Sequence, residues 1–119
     1  MALLGASGGP SASGGSTSVS GSATRFGAGT TNVTTSSAFV GTVSGGSTPY
    51  SYLWQYVSGD TFTANTNTSA STTFTAAISV SLGETVTKTG VYQCRVTDAV
   101  GAVAYGPECT VEATLTETS

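Results

Sequence analysis

The sequence predicts an all-β sandwich, because its composition disfavours helices and its apolar residues alternate in short segments between turn residues. Charged residues make up only 8% of the 119-residue chain, whereas about 25% is usual for a globular protein. Ser and Thr together make up about a third of it, and the branched Cβ of Thr favours a pleated strand. Leu, Lys and Glu, on which exposed helix faces depend, are scarce. Helices are therefore not expected.

Three segments of different composition are predicted. Residues 1–16 are dominated by Gly and Ser, which bury too little surface to offset the entropy of ordering, so a flexible arm is expected. This arm is either a linker or an attachment that orders against a neighbouring subunit through Leu3 and Leu4. Residues 17–114 are long enough to form one domain with a single core. Residues 115–119 are expected to form a short polar tail.

The first half of the domain contains three predicted strands. Residues 18–26 form the first, which ends at a Gly-Ala-Gly break. Residues 32–43 form a longer strand, in which the buried side is supplied either by Phe39 or by Val40 with Val43. In the aromatic segment 50–56 every second residue is Tyr or Trp, so these rings share one side of a half-buried strand.

The second half of the domain contains three more strands. Residues 72–80 alternate, with Phe74, Ala76 and Ile78 on the inner side. Residues 83–90 are expected to be a connection, after which residues 91–97 form a strand. Its inward side chains are Tyr92, Cys94 and Val96.

The chain then turns, and the last strand follows. Asp98-Ala99-Val100-Gly101 predicts a hairpin turn, with Gly at a position of positive φ. The last strand spans residues 103–114 and is broken at Gly106-Pro107, because Pro cannot donate to a sheet ladder. Strands at this spacing, with turn signals between them, are typical of a sandwich.

Two segments together resemble a known family of domains. Residues 45–54, with the sequence GGSTPYSYLW, are similar to the entry into strand C of bacterial and phage immunoglobulin-like domains, which include PKD-like modules and SprB-type repeats. Residues 90–101, with the sequence GVYQCRVTDAVG, resemble their F strand and F–G turn. The resemblance implies that Trp54 is the core tryptophan and Tyr92 the tyrosine corner of a two-sheet antiparallel sandwich. It implies no single function, because this fold serves many.

The two cysteines depart from the antibody pattern, in which a disulfide links the two sheets. Simple hairpin register places Cys94 opposite about Tyr105, so a bridge to Cys109 requires the bulge at Gly106-Pro107 to shift the register. Two buried thiols are therefore predicted, and a Cys94–Cys109 disulfide is the alternative.

The residue types present argue against catalysis, and no cofactor is expected. The chain has no His, so Ser–His–Asp and Cys–His arrangements are excluded. Asp60, Asn65 and Asn67 could supply oxygen ligands to calcium, but their spacing matches no calcium loop, so no metal is predicted. The net charge is −3 and no basic patch exists, which argues against nucleic acid. No apolar run is long enough for membrane insertion.

The candidate contact surface is the side of the sheet opposite Trp54 and Cys94. Its side chains are Leu53, Gln55, Val57, Gln93 and Arg95. Leu53 and Val57 are exposed there unless a partner covers them. The alternative is that they are scattered apolar residues, which are common on protein surfaces.

These features favour a non-enzymatic accessory protein that decorates the capsid or tail of a tailed bacteriophage. Its partners would be other virion proteins in a multicopy assembly. The chain starts without the basic, apolar pattern of a signal peptide, which favours assembly in the host cytoplasm and location in the virion. The alternative is a carbohydrate- or cell-surface-binding module of a bacterial adhesin, with a host-surface glycan as partner. Exposed aromatic residues at loop tips would favour that alternative, but here they cluster in one strand.

Overall fold

A computed structural model describes residues 9–119 of the chain. The predicted contact residues Leu3 and Leu4 lie outside the described residues. Strands and no helix occur between residues 9 and 119, so the all-β prediction is confirmed. The strands are β1 (Pro10–Gly14), β2 (Ser18–Arg25), β3 (Gly29–Thr34), β4 (Ala38–Phe39), β5 (Gly41–Gly45), β6 (Ser51–Gly59), β7 (Thr63–Ala64), β8 (Ser71–Thr72), β9 (Phe74–Val80), β10 (Thr85–Thr97), β11 (Val103–Tyr105) and β12 (Cys109–Glu117).

The strands pair in a sandwich-like arrangement around β9 and β10. In the larger sheet β10 pairs antiparallel with β6 on one edge and with β11 and β12 on the other. β2 adds to this sheet by parallel pairing with β12. In the second sheet β9 lies between β3 and β7. Two short antiparallel pairs, β1 with β5 and β4 with β8, complete the fold.

The core is built by alternate residues of both sheets. Phe74, Ala76 and Ile78 of β9 point inward and are at most 5% exposed, which confirms the alternation predicted for this strand. They pack with the inward residues of β10 and β12 in two clusters of buried side chains. Phe62, in the link between β6 and β7, packs against both clusters. Each fully buried large side chain contributes about 1.5–3 kcal/mol.

Trp54 belongs to the larger of these two clusters and is 5% exposed. Its indole meets the ring of Phe74 edge to face, with the ring centroids 5.9 Å apart. Its Nε1 donates to the carbonyl of Ser69 at 2.8 Å, so the polar atom of the indole is satisfied. Tyr92 and Cys94 are also buried, and Tyr52 is half-buried against the same cluster.

The prediction that residues 83–90 form a connection is wrong. Residues from Thr85 onward belong to β10, which continues to Thr97 as a single strand. Val86 and Lys88 occupy inward positions, because they pair in register with the buried residues of β12. A Lys at an inward position interrupts the alternation of apolar and polar residues, which is why the sequence did not indicate a strand here.

The strand expected over residues 32–43 is divided among β3, β4 and β5. Thr35 is buried where β3 ends, and Gly41 takes a φ of +100° where β5 begins. Of the two alternatives for its buried side, Val40 is correct: it is 2% exposed, whereas Phe39 is 56% exposed. Val43 is half-buried against the core.

Both ends of the domain are longer than expected. Residues 10–14 form β1, so the flexible arm predicted for residues 1–16 is wrong for this segment. Backbone hydrogen bonds hold β1 to β5, and such pairing needs no apolar side chains. At the other end β12 continues to Glu117, and Leu115 is fully buried, so the sheet includes part of the expected polar tail. The predicted break at Gly106-Pro107 is confirmed, because β11 ends before it and β12 begins after it.

Cys94 and Cys109 are both buried and are not bridged, as predicted. Arg95 pairs with Tyr105, and Cys109 pairs with Tyr92, so the two cysteines are not opposite each other. Burial raises the pKa of the Cys94 thiol to about 11 and also raises the pKa of the Cys109 thiol. Both side chains therefore serve as small apolar core residues.

Candidate docking surface

The outer side of β6, β10 and β11 is the candidate docking surface. Trp54 and Cys94 pair in register and are both buried. Since neighbouring residues of a strand point to opposite sides, the residues next to them point outward. Three registered rows cross this side: Ser51–Thr97–Val103, Leu53–Arg95–Tyr105 and Gln55–Gln93. We call these residues the outer face.

Leu53 and Tyr105 flank Arg95 in register, and Val103 lies two residues along β11 from Tyr105. Val103 is 47% exposed and Tyr105 is 50% exposed, and Leu53 is half-buried. The predicted contact residue Val57 is 39% exposed but lies outside these rows, at a bulge where the register between β6 and β10 shifts. The outer face therefore places Tyr105 and Arg95, two residue types enriched at protein interfaces, beside exposed aliphatic area.

Arg95 has an unsatisfied donor. Its Nε is shielded from solvent, and it has no hydrogen-bond partner among residues 9–119. Leaving such a donor without an acceptor costs about 1–3 kcal/mol. A partner cannot reach the shielded Nε, but the two Nη groups of this half-buried guanidinium are accessible and donate to no residue among 9–119, so a carboxylate or carbonyl oxygen of a partner can accept from them.

The other two cations of the chain are used elsewhere. The guanidinium of Arg25 donates to the carbonyls of Gly27, Ala28 and Thr30, so it closes the loop between β2 and β3. Lys88 lies at an inward, half-buried position. Arg95 is thus the cation that the outer face presents.

The two glutamines of the outer face differ in what they can offer a partner. Gln93 donates from Nε2 to the carbonyl of Gly106 at 3.0 Å, so it supports the break between β11 and β12. Gln55 lies opposite it in register. Of the predicted contact residues that the structure describes, Gln93 is therefore the one whose side chain donates within the chain.

Sequence reasoning missed Val103 and Tyr105 as members of the outer face. Hairpin register placed Tyr105 opposite Cys94, whereas it lies opposite Arg95. A shift of one residue moves a side chain to the other side of a sheet. The alternation of Val103, Ala104 and Tyr105 was the only signal available in the sequence.

The residues considered as calcium ligands are engaged by the fold. Asp60 accepts from the backbone of Thr89 at 2.9 Å, and the Asn65 amide donates to the hydroxyls of Thr73 and Thr75. The carbonyl of Asn67 accepts from the backbone of Trp54. Within the described range no three or more His, Cys, Asp or Glu residues are grouped so as to hold a metal ion.

Comparisons with protein-family models, with curated proteins and with solved structures found no match to this chain. Residues 9–119 include no helix of the length and apolarity needed to cross a membrane.

Proposed function

We propose that this chain is a non-enzymatic accessory protein that decorates the capsid or tail of a tailed bacteriophage. It is an immunoglobulin-like module, and it docks on other virion proteins through the outer face, with Leu3 and Leu4 as a second attachment. It assembles in the host cytoplasm and is present in many copies, so that weak contacts add up.

The pairing of the strands supports an immunoglobulin-like module. β6, β10 and β11 pair in the order of strands C, F and G, and β3, β9 and β7 pair in the order of strands B, E and D. One feature differs. The Tyr92 hydroxyl contacts the backbone of Phe62, 30 residues upstream, whereas a tyrosine corner contacts backbone only a few residues upstream.

The half-buried guanidinium of Arg95, which donates to no residue among 9–119, is the observation that carries the docking proposal. It lies in a row with Leu53 and Tyr105, so one patch offers both apolar area and a cation that needs an acceptor. The partner surface is accordingly acidic, with a carboxylate placed to accept from Arg95.

The thiols support a role without catalysis. Thiolates are the reactive form of cysteine, and burial raises the pKa of both Cys94 and Cys109. Since the chain also has no His, it offers neither an activated nucleophile of this kind nor the usual base.

Mass spectrometry of purified particles tests the proposal. Virions are purified from the lysate of the phage that encodes the chain, and peptides of the chain are quantified against the major capsid protein. A constant copy number per particle is expected after repeated density-gradient purification. If no virion contains the chain, the proposal is wrong.

Rebinding to particles that lack the chain tests the outer face. Arg95→Glu should weaken rebinding at least about tenfold, because it places a carboxylate against an acidic partner. Thr85→Val is the matched control: it lies on the same strand and side, far from the patch, and should rebind like the unmodified protein. Equal rebinding of the two variants would exclude the outer face as the docking surface.

A further inference from the structure

A polar groove lies at the other edge of the larger sheet, where β2 meets β12. It has a volume of about 340 Å³ and is lined by Ser18, Val19, Ser20, Ser36, Thr110 and Glu112. The parallel register places Ser18 beside Thr110, and Ser20 beside Glu112. Ser36 is brought over this pair because its backbone N–H donates to the carbonyl of Ser20 at 3.1 Å.

The hydroxyls in this groove differ from the Ser and Thr side chains that pair across strands. Several hydroxyls elsewhere are paired across strands, as in Thr30–Ser79 at 2.6 Å and Thr87–Thr114 at 3.0 Å. In the groove the side chains of Ser18, Ser20, Ser36, Thr110 and Glu112 are exposed. None of these five side chains makes a hydrogen bond to another residue of the described part of the chain. Their donors and acceptors are therefore available to a ligand.

The chemistry of the groove selects the class of ligand. Four hydroxyls can each donate and accept, and the Glu112 carboxylate accepts from two donors. Strand geometry spaces them about 5 Å apart across the sheet and about 7 Å apart along it. The single charge is negative, which disfavours phosphates and other anions. An uncharged ligand with several neighbouring hydroxyls can donate to and accept from these side chains.

We propose that this groove binds a neutral saccharide, with Glu112 accepting from two adjacent sugar hydroxyls. Ser18, Ser20, Ser36 and Thr110 hydrogen-bond to the remaining hydroxyls. The groove is shallow and no aromatic ring lines it, so the dissociation constant for one sugar unit is in the millimolar range. This site is separate from the outer face and does not depend on the docking proposal.

Titration of the ¹⁵N-labelled protein followed by NMR tests the saccharide site. The probes are the methyl glycosides of glucose, galactose and N-acetylglucosamine. At least one is expected to cause saturable shifts in the backbone amides of residues 18–20, 36 and 110–112, and not in those of the outer face. If none of the three sugars causes saturable shifts there, the proposal is overturned.

Variants separate binding in the groove from an unspecific effect. Glu112→Ala should weaken binding at least about fivefold, because two charge-assisted hydrogen bonds are lost. Thr87→Val, on the same side of the sheet but outside the groove, should bind like the unmodified protein. If Glu112→Ala does not fold, as its NMR spectrum would reveal, Ser36→Ala takes its place with a smaller expected loss.

Equal binding by the groove variant and by Thr87→Val overturns the proposal. Shifts of the same amides with calcium chloride and without any sugar would also overturn it, because they would identify a cation site. Neither result bears on docking, because no virion component is present in the experiment.

Discussion

The Tyr92 side chain links β10 to the segment that follows β6. Its hydroxyl accepts from the backbone N–H of Phe62 at 2.6 Å and donates to the carbonyl of the same residue at 2.8 Å. Its ring packs against Phe74, with the centroids 4.8 Å apart, and against the ring of Phe62. One residue therefore satisfies two backbone groups and packs against Phe62, which itself contacts both core clusters.

Tyr92→Phe tests how much this hydroxyl contributes to stability. Its loss leaves the N–H and the carbonyl of Phe62 without partners, so the free energy of unfolding should fall by about 1–3 kcal/mol. Tyr56→Phe is the matched control, because the Tyr56 hydroxyl donates only to the carbonyl of Gly59 and the residue is 50% exposed. It should cost less than about 1 kcal/mol. Urea unfolding measures both, and equal losses would contradict this account.

At the level of the strands, the sequence predicted the elements whose register is visible in side-chain alternation. β9 and the second half of β10 have apolar residues at every second position, and their inward sides were predicted correctly. β1 contains only one half-buried Ala in a Pro-Ser-Ala-Ser-Gly segment. Its pairing with β5 comes from the backbone, which leaves no pattern in the sequence.

The same distinction applies to the candidate sites. The outward position of Leu53 and Arg95 could be predicted from the sequence. Each is next to a residue, Trp54 or Cys94, that was predicted to point inward, and neighbouring residues of a strand point to opposite sides. The groove depends on the parallel pairing of β2 with β12 and on the approach of Ser36 to β2. These are contacts between residues distant in the chain, and a polar segment gives no local signal for them.

The close approach between β2 and the end of β3 can be tested at Gly21. A Cβ at this position would overlap the carbonyl oxygen of Thr34 and lie 2.9 Å from the Cα of Thr35. Both are backbone atoms, so β2 must shift to accommodate Ala. Gly21→Ala should therefore lower the free energy of unfolding by about 1–3 kcal/mol.

The neighbouring exposed residue provides the control for that substitution. Ser22→Ala removes a hydroxyl from the same strand without any steric change and should alter stability by less than about 0.5 kcal/mol. Thermal unfolding followed by circular dichroism compares the two variants. If Gly21→Ala is as stable as Ser22→Ala, the strands do not approach each other as closely as described.

At the scale of the whole molecule, a buried carboxylate near each end of β10 accepts hydrogen bonds from the backbone of the surrounding loops. Asp98 follows its last residue and accepts from the backbone of Ser47, Val100 and Ala102. At the other end Glu117 accepts from Gly27 at 2.8 Å and from Gly83 at 2.7 Å. Asp98 thus links the loop after β10 to the loop that contains Ser47. Glu117 links the end of β12 to the loops that contain Gly27 and Gly83.

These two carboxylates make the stability of the domain depend on pH. The hydrogen bonds they accept from backbone N–H groups hold the pKa of Asp98 and of Glu117 below the ordinary values. The unfolded chain, in which carboxyl pKa values are about 4, therefore binds protons at a higher pH than the folded chain does. The stabilisation is complete above the unfolded pKa values and is lost as the pH falls through the folded ones.

The melting temperature should accordingly fall as the pH is lowered from about 5 toward about 2. Asp98→Asn and Glu117→Gln should each be less stable than the unmodified protein at neutral pH, because an amide replaces one accepting oxygen with a donor. On acidification each variant should also lose less stability than the unmodified protein does, and the double variant should show the smallest loss. Glu112→Gln, an exposed acid on the same strand as Glu117, should keep the full pH dependence. If the double variant loses as much stability in acid as the Glu112→Gln control, the acid sensitivity of the fold does not arise from the carboxylates at its two ends.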